Sequence, residues 1–165
     1  MKSGLGTPNP GEFHMKLAQA LILRGDLQKR FASLRTRVGK NAVVQEGSRP
    51  HEAPEELLAE AEGVLVELED LICRINRTNV ENTLADGQTL TEAVARRDSL
   101  VQRHSLLLHA IESAQTVPSR FGLAEIRWLA TLDVPKLRKQ ADGVAEEIRK
   151  LNAALQERNW TVDLV

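Results

Sequence analysis

The sequence contains few of the residues that usually anchor a compact hydrophobic core. Only 3% of its 165 residues are aromatic, and tyrosine is absent. Aromatic rings bury the largest area per side chain, so a core made of leucine, isoleucine and valine buries less per residue. Helices with such aliphatic stripes often gain the rest of their burial from a partner chain. The composition therefore favours a homo-oligomer, either a dimer or a larger assembly.

The sequence has only one cysteine and no long hydrophobic run. Because Cys73 is the single cysteine, the chain cannot form an internal disulfide bond, which fits a reducing compartment. We expect it to be a small core residue, because no histidine is paired with it in the sequence. No segment approaches the roughly 18 uncharged apolar residues that a membrane-spanning helix requires. A secretion signal is also missing, so we expect a cytoplasmic protein without a transmembrane segment.

The sequence also lacks an excess of charge of one sign and the common catalytic motifs. The 22 Lys and Arg residues balance 23 Asp and Glu residues, so we expect no nucleic-acid binding, which needs a basic surface. Phosphate loops, nucleophile elbows, Cys-pair zinc patterns and the Glu-x-x-His of helical di-metal sites do not occur. His104 and His109 are five residues apart and face different directions on a helix. We therefore predict no catalytic residues, no metal and no cofactor.

Apolar residues recur every three or four positions in four segments, which predicts four amphipathic helices. These helices cover approximately residues 16–38, 54–75, 90–115 and 134–158. Asp133 suits the N-cap position of the fourth helix. Four such helices joined by short links predict an all-α fold of long antiparallel helical hairpins, or a four-helix coiled-coil-like bundle.

Each predicted helix carries a seam with a seven-residue repeat. The seam of the first helix consists of Leu17, Ala20, Arg24, Leu27, Phe31, Leu34 and Val38. The seam of the second consists of Leu58, Ala61, Leu65, Leu68, Ile72 and Ile75, flanked by Leu57, Val64 and Leu71. The seam of the third consists of Leu90, Val94, Arg97, Val101, His104, Leu108 and Ile111. The seam of the fourth consists of Leu137, Ala141, Val144, Ile148, Leu151 and Leu155.

The first two predicted helices carry opposite charge. Residues 16–40 contain seven basic residues and one acidic residue, a balance of +6. Residues 52–73 contain eight acidic residues and no basic residue, a balance of −8. Opposite charges attract along the edges of a helix pair, and each helix would repel a copy of itself. We therefore predict that these two helices pair antiparallel.

The connections between the helices predict two short extended elements. Residues 83–90 contain Asp86-Gly87, which tolerates the positive φ of a tight turn, so we predict a small β-hairpin there. Thr89 and Glu92 have the spacing of a capping box for the third helix. Apolar and polar residues alternate over 126–132, which predicts a short extended segment. Residues 159–164 leave the helical period, and we expect an extended tail.

The first fourteen residues have the composition of an expression tag and linker. They are rich in Pro and Gly and run into Glu-Phe-His-Met, which two adjacent restriction sites encode. The helical period begins only after Met15. We predict that residues 1–14 are a tag and that residues 15–165 form a single helical domain.

The densest polar cluster follows the seam of the second predicted helix. Asn76, Arg77 and Asn79 lie there, and the turn at Asp86 is expected to fold back beside them. Asn amides and an Arg guanidinium suit a carboxylate or phosphate ligand. Alternatively, Arg77 bonds the last carbonyls of the helix and clasps Asp86. Both the binding interpretation and the structural interpretation stay open at this stage.

Several segments resemble a known family over the chain from Met15 to the C-terminus. The segments MKLAQALILRGDLQKRFASLRTRV, LEDLICRINRTN, TLADGQTLTEAVARRD and RNWTVDL are similar to the septicolysin-like family of bacterial proteins. The resemblance implies a small helical protein, and the family name implies a pore-forming haemolysin. No catalytic motif is carried over with it.

These observations support three functional hypotheses. The first is a self-associating structural or interaction module without catalytic activity, as the long aliphatic seams indicate. The second is the membrane-active lysin that the resemblance implies. The third is a small-anion binder or enzyme that uses the region of Arg77.

Overall fold

The structure, a computed structural model, describes residues 15–115 and 129–165. These residues form four α-helices: α1 (Leu17–Asn41), α2 (Pro54–Glu81), α3 (Leu90–Gln115) and α4 (Val134–Thr161). The described part of the chain contains no β-strand, and its extended pairing is limited to two isolated antiparallel bridges, Lys16–Asp163 and Thr83–Thr89. The predicted all-α class is therefore confirmed, whereas the predicted β-hairpin is wrong.

The chain divides into two compact units. One consists of the described residues up to Glu81 together with Asn159–Val165, and the other is Asn82–Arg158. The first unit contains α1 and α2, and the second contains α3 and nearly all of α4. The prediction of a single domain over residues 15–165 stays a prediction. The predicted tag, residues 1–14, lies outside the described residues.

The seam of α1 is the one that the sequence predicts. Leu17, Leu27 and Leu34 are buried, and Arg24 and Phe31, which lie between them, are half-buried. In the seven-residue repeat written a to g, these residues occupy positions a and d, which face the partner helix of a pair. The predicted register of α1 is therefore confirmed.

The end of α1 lies further along the chain than the sequence predicts. The predicted helix ends at about residue 38, but α1 continues to Asn41. The side-chain amide of Asn41 donates a hydrogen bond to the Arg37 carbonyl (3.0 Å), and its Oδ1 accepts the Glu52 N–H (3.2 Å). The Arg37 guanidinium also binds the Glu52 carboxylate, which lowers the pKa of that carboxyl. These contacts connect the end of α1 to the start of α2.

The seam of α2 differs from the predicted one. The buried residues of α2 are Leu57, Ala61, Val64, Leu71, Ile75 and Thr78. Together with the half-buried Leu68, they alternate steps of four and three residues. Leu58 and Leu65, both predicted for the seam, are exposed by 49% and 43%. The predicted set and the observed set share Ala61, Leu68 and Ile75 and have the same spacing, so spacing alone cannot choose between them. The position of α1 decides, because only residues at positions a and d of α2 face it.

The same difference occurs in α3. Ala93 and Leu100 are buried, whereas Val101 and Leu108, both predicted for the seam, are about half exposed. The bounds of α3 are those that the sequence predicts. Val101 and Leu108 therefore lie at position e, next to the buried stripe and not within it.

α1 and α2 pair antiparallel, as their charges predict. They contact each other along their length, and Arg30 of α1 binds Glu60 of α2 with an Nη2–Oε1 distance of 2.8 Å. Near the connecting loop, Arg37 binds Glu52. The order of these ion pairs shows that the two helices run in opposite directions, because the residue number falls from Arg37 to Arg30 in α1 while it rises from Glu52 to Glu60.

The C-terminal residues close the open end of this pair. α4 continues to Thr161, so the predicted extended tail is shorter than residues 159–164. The Leu17 N–H donates to the Val162 carbonyl (2.9 Å), and the Leu164 N–H donates to the Met15 carbonyl (2.8 Å). Val162 and Leu164 are both buried. The start of α1 and the C-terminal residues are thus held together by backbone pairing and by two apolar side chains.

The connection between α2 and α3 is a tight turn. α2 ends at Glu81 and α3 begins at Leu90, and the extended pairing in the eight residues between them is limited to the single bridge between Thr83 and Thr89. Gly87 adopts the expected positive φ of 87°. The Thr89 N–H donates to Glu92 (2.8 Å) and the Glu92 N–H donates to Thr89 Oγ1 (3.2 Å), which confirms the capping box. The Thr89 N–H also lowers the pKa of the Glu92 carboxyl.

The predicted extended segment over 126–132 is tested only in part. Residues 126–128 lie outside the described residues, and residues 129–133 have no regular structure. The next helix begins as expected, because Asp133 Oδ1 accepts the Lys136 N–H (3.0 Å). Asp133 is therefore confirmed as the N-cap of α4.

Candidate functional site

The predicted polar cluster lies within α2 and not beyond its end. α2 continues to Glu81, so Asn76, Arg77 and Asn79 are helical residues. Asn76 and Arg77 are exposed, and Asn79 is half-buried. Asp86 belongs to the other compact unit. The shared site of these four residues, and the clasp of Arg77 with Asp86, therefore stay predictions.

Two neighbours of this cluster have a clear structural role that the sequence did not reveal. Thr78 is fully buried, and its hydroxyl donates to the Arg74 carbonyl (2.9 Å) and accepts the Val165 N–H (3.0 Å). Arg74 Nε donates to the Val165 carbonyl (3.2 Å). The signal in the sequence is weak, because a threonine on an apolar seam also occurs without any such partner. The residues that anchor the C-terminus therefore lie next to this cluster.

Asp86 stabilises its own turn. Its Oδ1 accepts the Gln88 N–H at 3.1 Å, which is the local bond of an Asx turn. The side chain also lines an open groove within the second unit. Asp86 is thus a predicted site residue that the structure places at a concave surface.

This groove, which we call the α3–α4 groove, has a volume of about 340 Å³. Its lining residues come from the turn, α3 and α4: Leu84, Ala85, Asp86, Arg96, Leu100, Glu147, Lys150, Leu151 and Ala154. Leu84 and Leu100 are buried, and Leu151 and Ala154 are half-buried, so they form an apolar base. The four charged residues form the rim.

The charged rim contains one cation that is poorly engaged. Lys150 binds Glu146 at 2.7 Å, and this hydrogen bond lowers the pKa of the Glu146 carboxyl. Arg96 approaches Glu147 only to 3.9 Å between Nη2 and Oε2, which is too long for a hydrogen bond. The Arg96 guanidinium is therefore the rim group most available for a ligand.

A second hollow, in the first unit, is lined by several carboxylates. Glu52, Glu56 and Glu60 lie there with Arg37 and His51. Glu52 is bound by Arg37, and Glu60 is bound by Arg30. In residues 15–115 and 129–165, no group of three or more His, Cys, Asp or Glu side chains is placed to hold a metal ion. This hollow is accounted for by the ion pairs between α1 and α2.

Two helices carry exposed aliphatic side chains beside their seams. We call Leu58 and Leu65 of α2, together with Val101 and Leu108 of α3, the apolar rows. The two residues of each row are seven positions apart, and all four side chains are exposed by 43–49%. They occupy position e, so they border the pair interface without being covered by it.

Cys73 is not the core residue that the sequence predicted. It is exposed, because it lies two residues beyond the buried Leu71 on the outer side of α2. His104 is half-buried on the seam of α3, as expected, and His109 is exposed. Over the described helices, none is long and apolar enough to cross a membrane.

Comparison with known proteins changes the family assignment. A crystal structure of a functionally unknown conserved protein from Corynebacterium diphtheriae superposes with a TM-score of 0.86. The two sequences are 36% identical, and the match covers 92% of this chain and 99% of that one. A search of curated proteins gave no match.

The resemblance to the septicolysin-like family is therefore wrong. Neither the matching structure nor the matching family carries that description. The segments that suggested it are mostly amphipathic helix, whose composition recurs in unrelated proteins. The pore-forming hypothesis rested on that name alone and is withdrawn with it. Residues 24–164 match a family described as a family of unknown function, DUF6847, and the chain belongs to that family.

Proposed function

We propose that the protein is an interaction module without catalytic activity, which self-associates through the apolar rows of α2 and α3. The observation that supports this proposal is the exposure of Leu58, Leu65, Val101 and Leu108 at seven-residue spacing. A helix with apolar residues at a, d and e is typical of one that packs against more than one neighbour. The rows therefore provide a second contact surface on each helix.

Charge favours contact between unlike helices. Residues 52–73, which include the row of α2, carry eight acids and no basic residue. Two copies of α2 would repel each other at close range. α3 carries three Arg residues, Arg96, Arg97 and Arg103, against three acidic residues. We propose that α2 of one copy meets α3 of another, an arrangement that a two-fold dimer repeats twice.

Changing one apolar row to charged residues is expected to abolish this association. Light scattering at micromolar concentration should give the parent protein a mass above the monomer value of 18.3 kDa. The double variant Leu58→Glu/Leu65→Glu should return to the monomer mass, because the charges cannot be desolvated at a contact. Val66→Glu is the matched control, since Val66 is 69% exposed on α2 but lies outside the row. A parent protein with the monomer mass would refute self-association.

We propose, as a second candidate, that Asn76, Arg77 and Asn79 bind a small anion. The supporting observation is that Arg77 is exposed and forms no ion pair with the described residues. Arg side chains bind carboxylate and phosphate through a planar fork of donors. The alternative clasp between Arg77 and Asp86 gives a different result in the same experiment.

The substitution Arg77→Ala separates these two interpretations. If Arg77 binds an anion, phosphate should raise the melting temperature of the parent and not that of the variant, while both melt alike in ligand-free buffer. If Arg77 forms the clasp, the variant should melt lower in both buffers. The control is Arg103→Ala, an exposed Arg of α3 outside this cluster. No phosphate effect on the parent, combined with equal melting temperatures, would exclude both interpretations.

A further inference from the structure

We propose that the α3–α4 groove binds a small aliphatic carboxylate, with Arg96 as the residue that holds its carboxyl group. The inference is independent of self-association. Arg96 and Glu147 lie at position g of their helices, on the flank of the seam opposite to Val101 and Leu108 at position e. A ligand in the groove and a partner on the apolar rows therefore use different surfaces.

The base of the groove determines the body of the ligand. Leu84 and Leu100 are each 8% exposed, and Leu151 and Ala154 beside them are half-buried. These side chains present only aliphatic carbon, and no aromatic ring is present on which a base or a flat ring would stack. The base therefore favours an aliphatic chain, whose transfer out of water is favourable in proportion to its area.

The rim determines the head of the ligand. Lys150 already binds Glu146 at 2.7 Å, and Asp86 accepts the Gln88 N–H at 3.1 Å. Arg96, by contrast, forms no hydrogen bond with the described residues, and its nearest carboxylate is 3.9 Å away. A guanidinium at the edge of an apolar surface is matched by a carboxylate, which it binds with two parallel hydrogen bonds. The other charged residues of the rim are Lys150, which has the sign of Arg96, and Asp86 and Glu147, which have the opposite sign.

The size of the groove restricts the ligand further. Its volume of about 340 Å³ lies at the lower end of the range for small-molecule sites, roughly 300–1,000 Å³. A single medium-length chain with one carboxyl group fits this volume. Inorganic phosphate would engage Arg96 but leave the apolar base without a contact.

Titration of the full chain with short fatty carboxylates tests this site. NMR chemical shifts should report saturable binding of hexanoate and octanoate, with perturbed amides in 84–86, 96–100 and 147–154. Each added methylene should tighten binding about four-fold until the base is covered, which corresponds to about 0.8 kcal/mol per methylene. Absence of saturable binding, or shifts confined to other residues, would overturn the proposal.

Two substitutions on the rim should move the affinity in opposite directions. Arg96→Gln should weaken octanoate binding by about ten-fold or more, because it removes hydrogen bonds between charged groups. Glu147→Gln should tighten binding, because it removes a competing carboxylate near Arg96. Arg103→Gln is the matched control, since Arg103 is an exposed Arg of α3 that does not line the groove. Unchanged affinity in Arg96→Gln would refute the role of Arg96.

Two further ligands test the chemistry of the head. Hexan-1-ol has the same number of carbon atoms without a charge and should bind more weakly than hexanoate. Norleucine adds an ammonium group, and its preference over hexanoate would show that Asp86 and Glu147 select a zwitterion instead. Equal binding of hexanol and hexanoate would show that the groove is only an apolar surface. Either of these two outcomes would overturn the carboxylate proposal.

Discussion

Removal of residues 162–165 is expected to lower the free energy of unfolding by about 3–6 kcal/mol. Val162 and Leu164 are both 6% exposed, and burial of an aliphatic side chain of this size contributes about 1.5–3 kcal/mol. The truncation also removes the backbone pairing with Met15 and Leu17. Because small domains are stable by only about 5–15 kcal/mol, the truncated protein should unfold at much lower urea concentration.

Adjacent residues of this segment provide the matched comparison. Leu164→Ala should cost about 2–5 kcal/mol, the range for large-to-small changes at buried sites. Val165 is 47% exposed, and Val165→Ala keeps the backbone N–H that donates to Thr78, so it should change stability little. Urea unfolding followed by circular dichroism measures both. Equal midpoints for the two variants would show that the C-terminus does not pack as described.

The physical reason for this large effect is the position of the segment. The first residues of α1 and the last turns of α2 lie at the end of the pair that has no connecting loop. Val165 binds Thr78 and Arg74 of α2, while Val162 and Leu164 pair with the residues at the start of α1. Four residues therefore connect both helices at the end where they would otherwise separate.

Leu71→Ala is expected to destabilise the protein by about 2–5 kcal/mol, and Leu65→Ala by about 1 kcal/mol or less. Both leucines lie in the middle of α2, but Leu71 is 4% exposed and Leu65 is 43% exposed. Truncating Leu71 leaves a cavity against α1, whereas Leu65 loses contacts on one side only. Because the chemical change is the same, the difference between the two variants reports which row of α2 faces α1.

The measurement must separate core packing from association. Urea unfolding of both variants at several protein concentrations does this, because stability that depends on association varies with concentration. The deficit of Leu71→Ala should be the same at every concentration. A larger loss for Leu65→Ala at the lowest concentration would show that the seam predicted from the sequence is the correct one.

Local features of the helices could be predicted from the sequence. The bounds of α3, the N-cap Asp133 and the capping box of Thr89 with Glu92 agree with the structure. They depend on residues three positions apart, so their signals lie within a single turn of helix. The pairing of α1 with α2 also follows from the sequence, because opposite net charges of two successive helices have an unambiguous sign.

Features that depend on a distant neighbour could not be predicted. α2 carries apolar residues at positions a, d and e. The residues at a and d and the residues at a and e have the same three-and-four spacing. Only the position of α1 therefore decides that Leu71 is buried and Leu65 is exposed. The helical state of residues 76–81 also depends on tertiary contacts, because buried Thr78 binds the far end of the chain.

The sequence by itself determined that this protein is helical, where most of its helices begin, and which two of them attract. Helix periodicity, caps and net charge are properties of short segments and act before any tertiary contact forms. The α3–α4 groove was decided only by the tertiary structure. Its lining residues extend from Leu84 to Ala154, and no local pattern relates an aliphatic turn residue to an Arg and a Glu on two helices. Folding brings them together because burial of the seams fixes how α3 and α4 pack, and the groove is formed by the side chains that flank those seams.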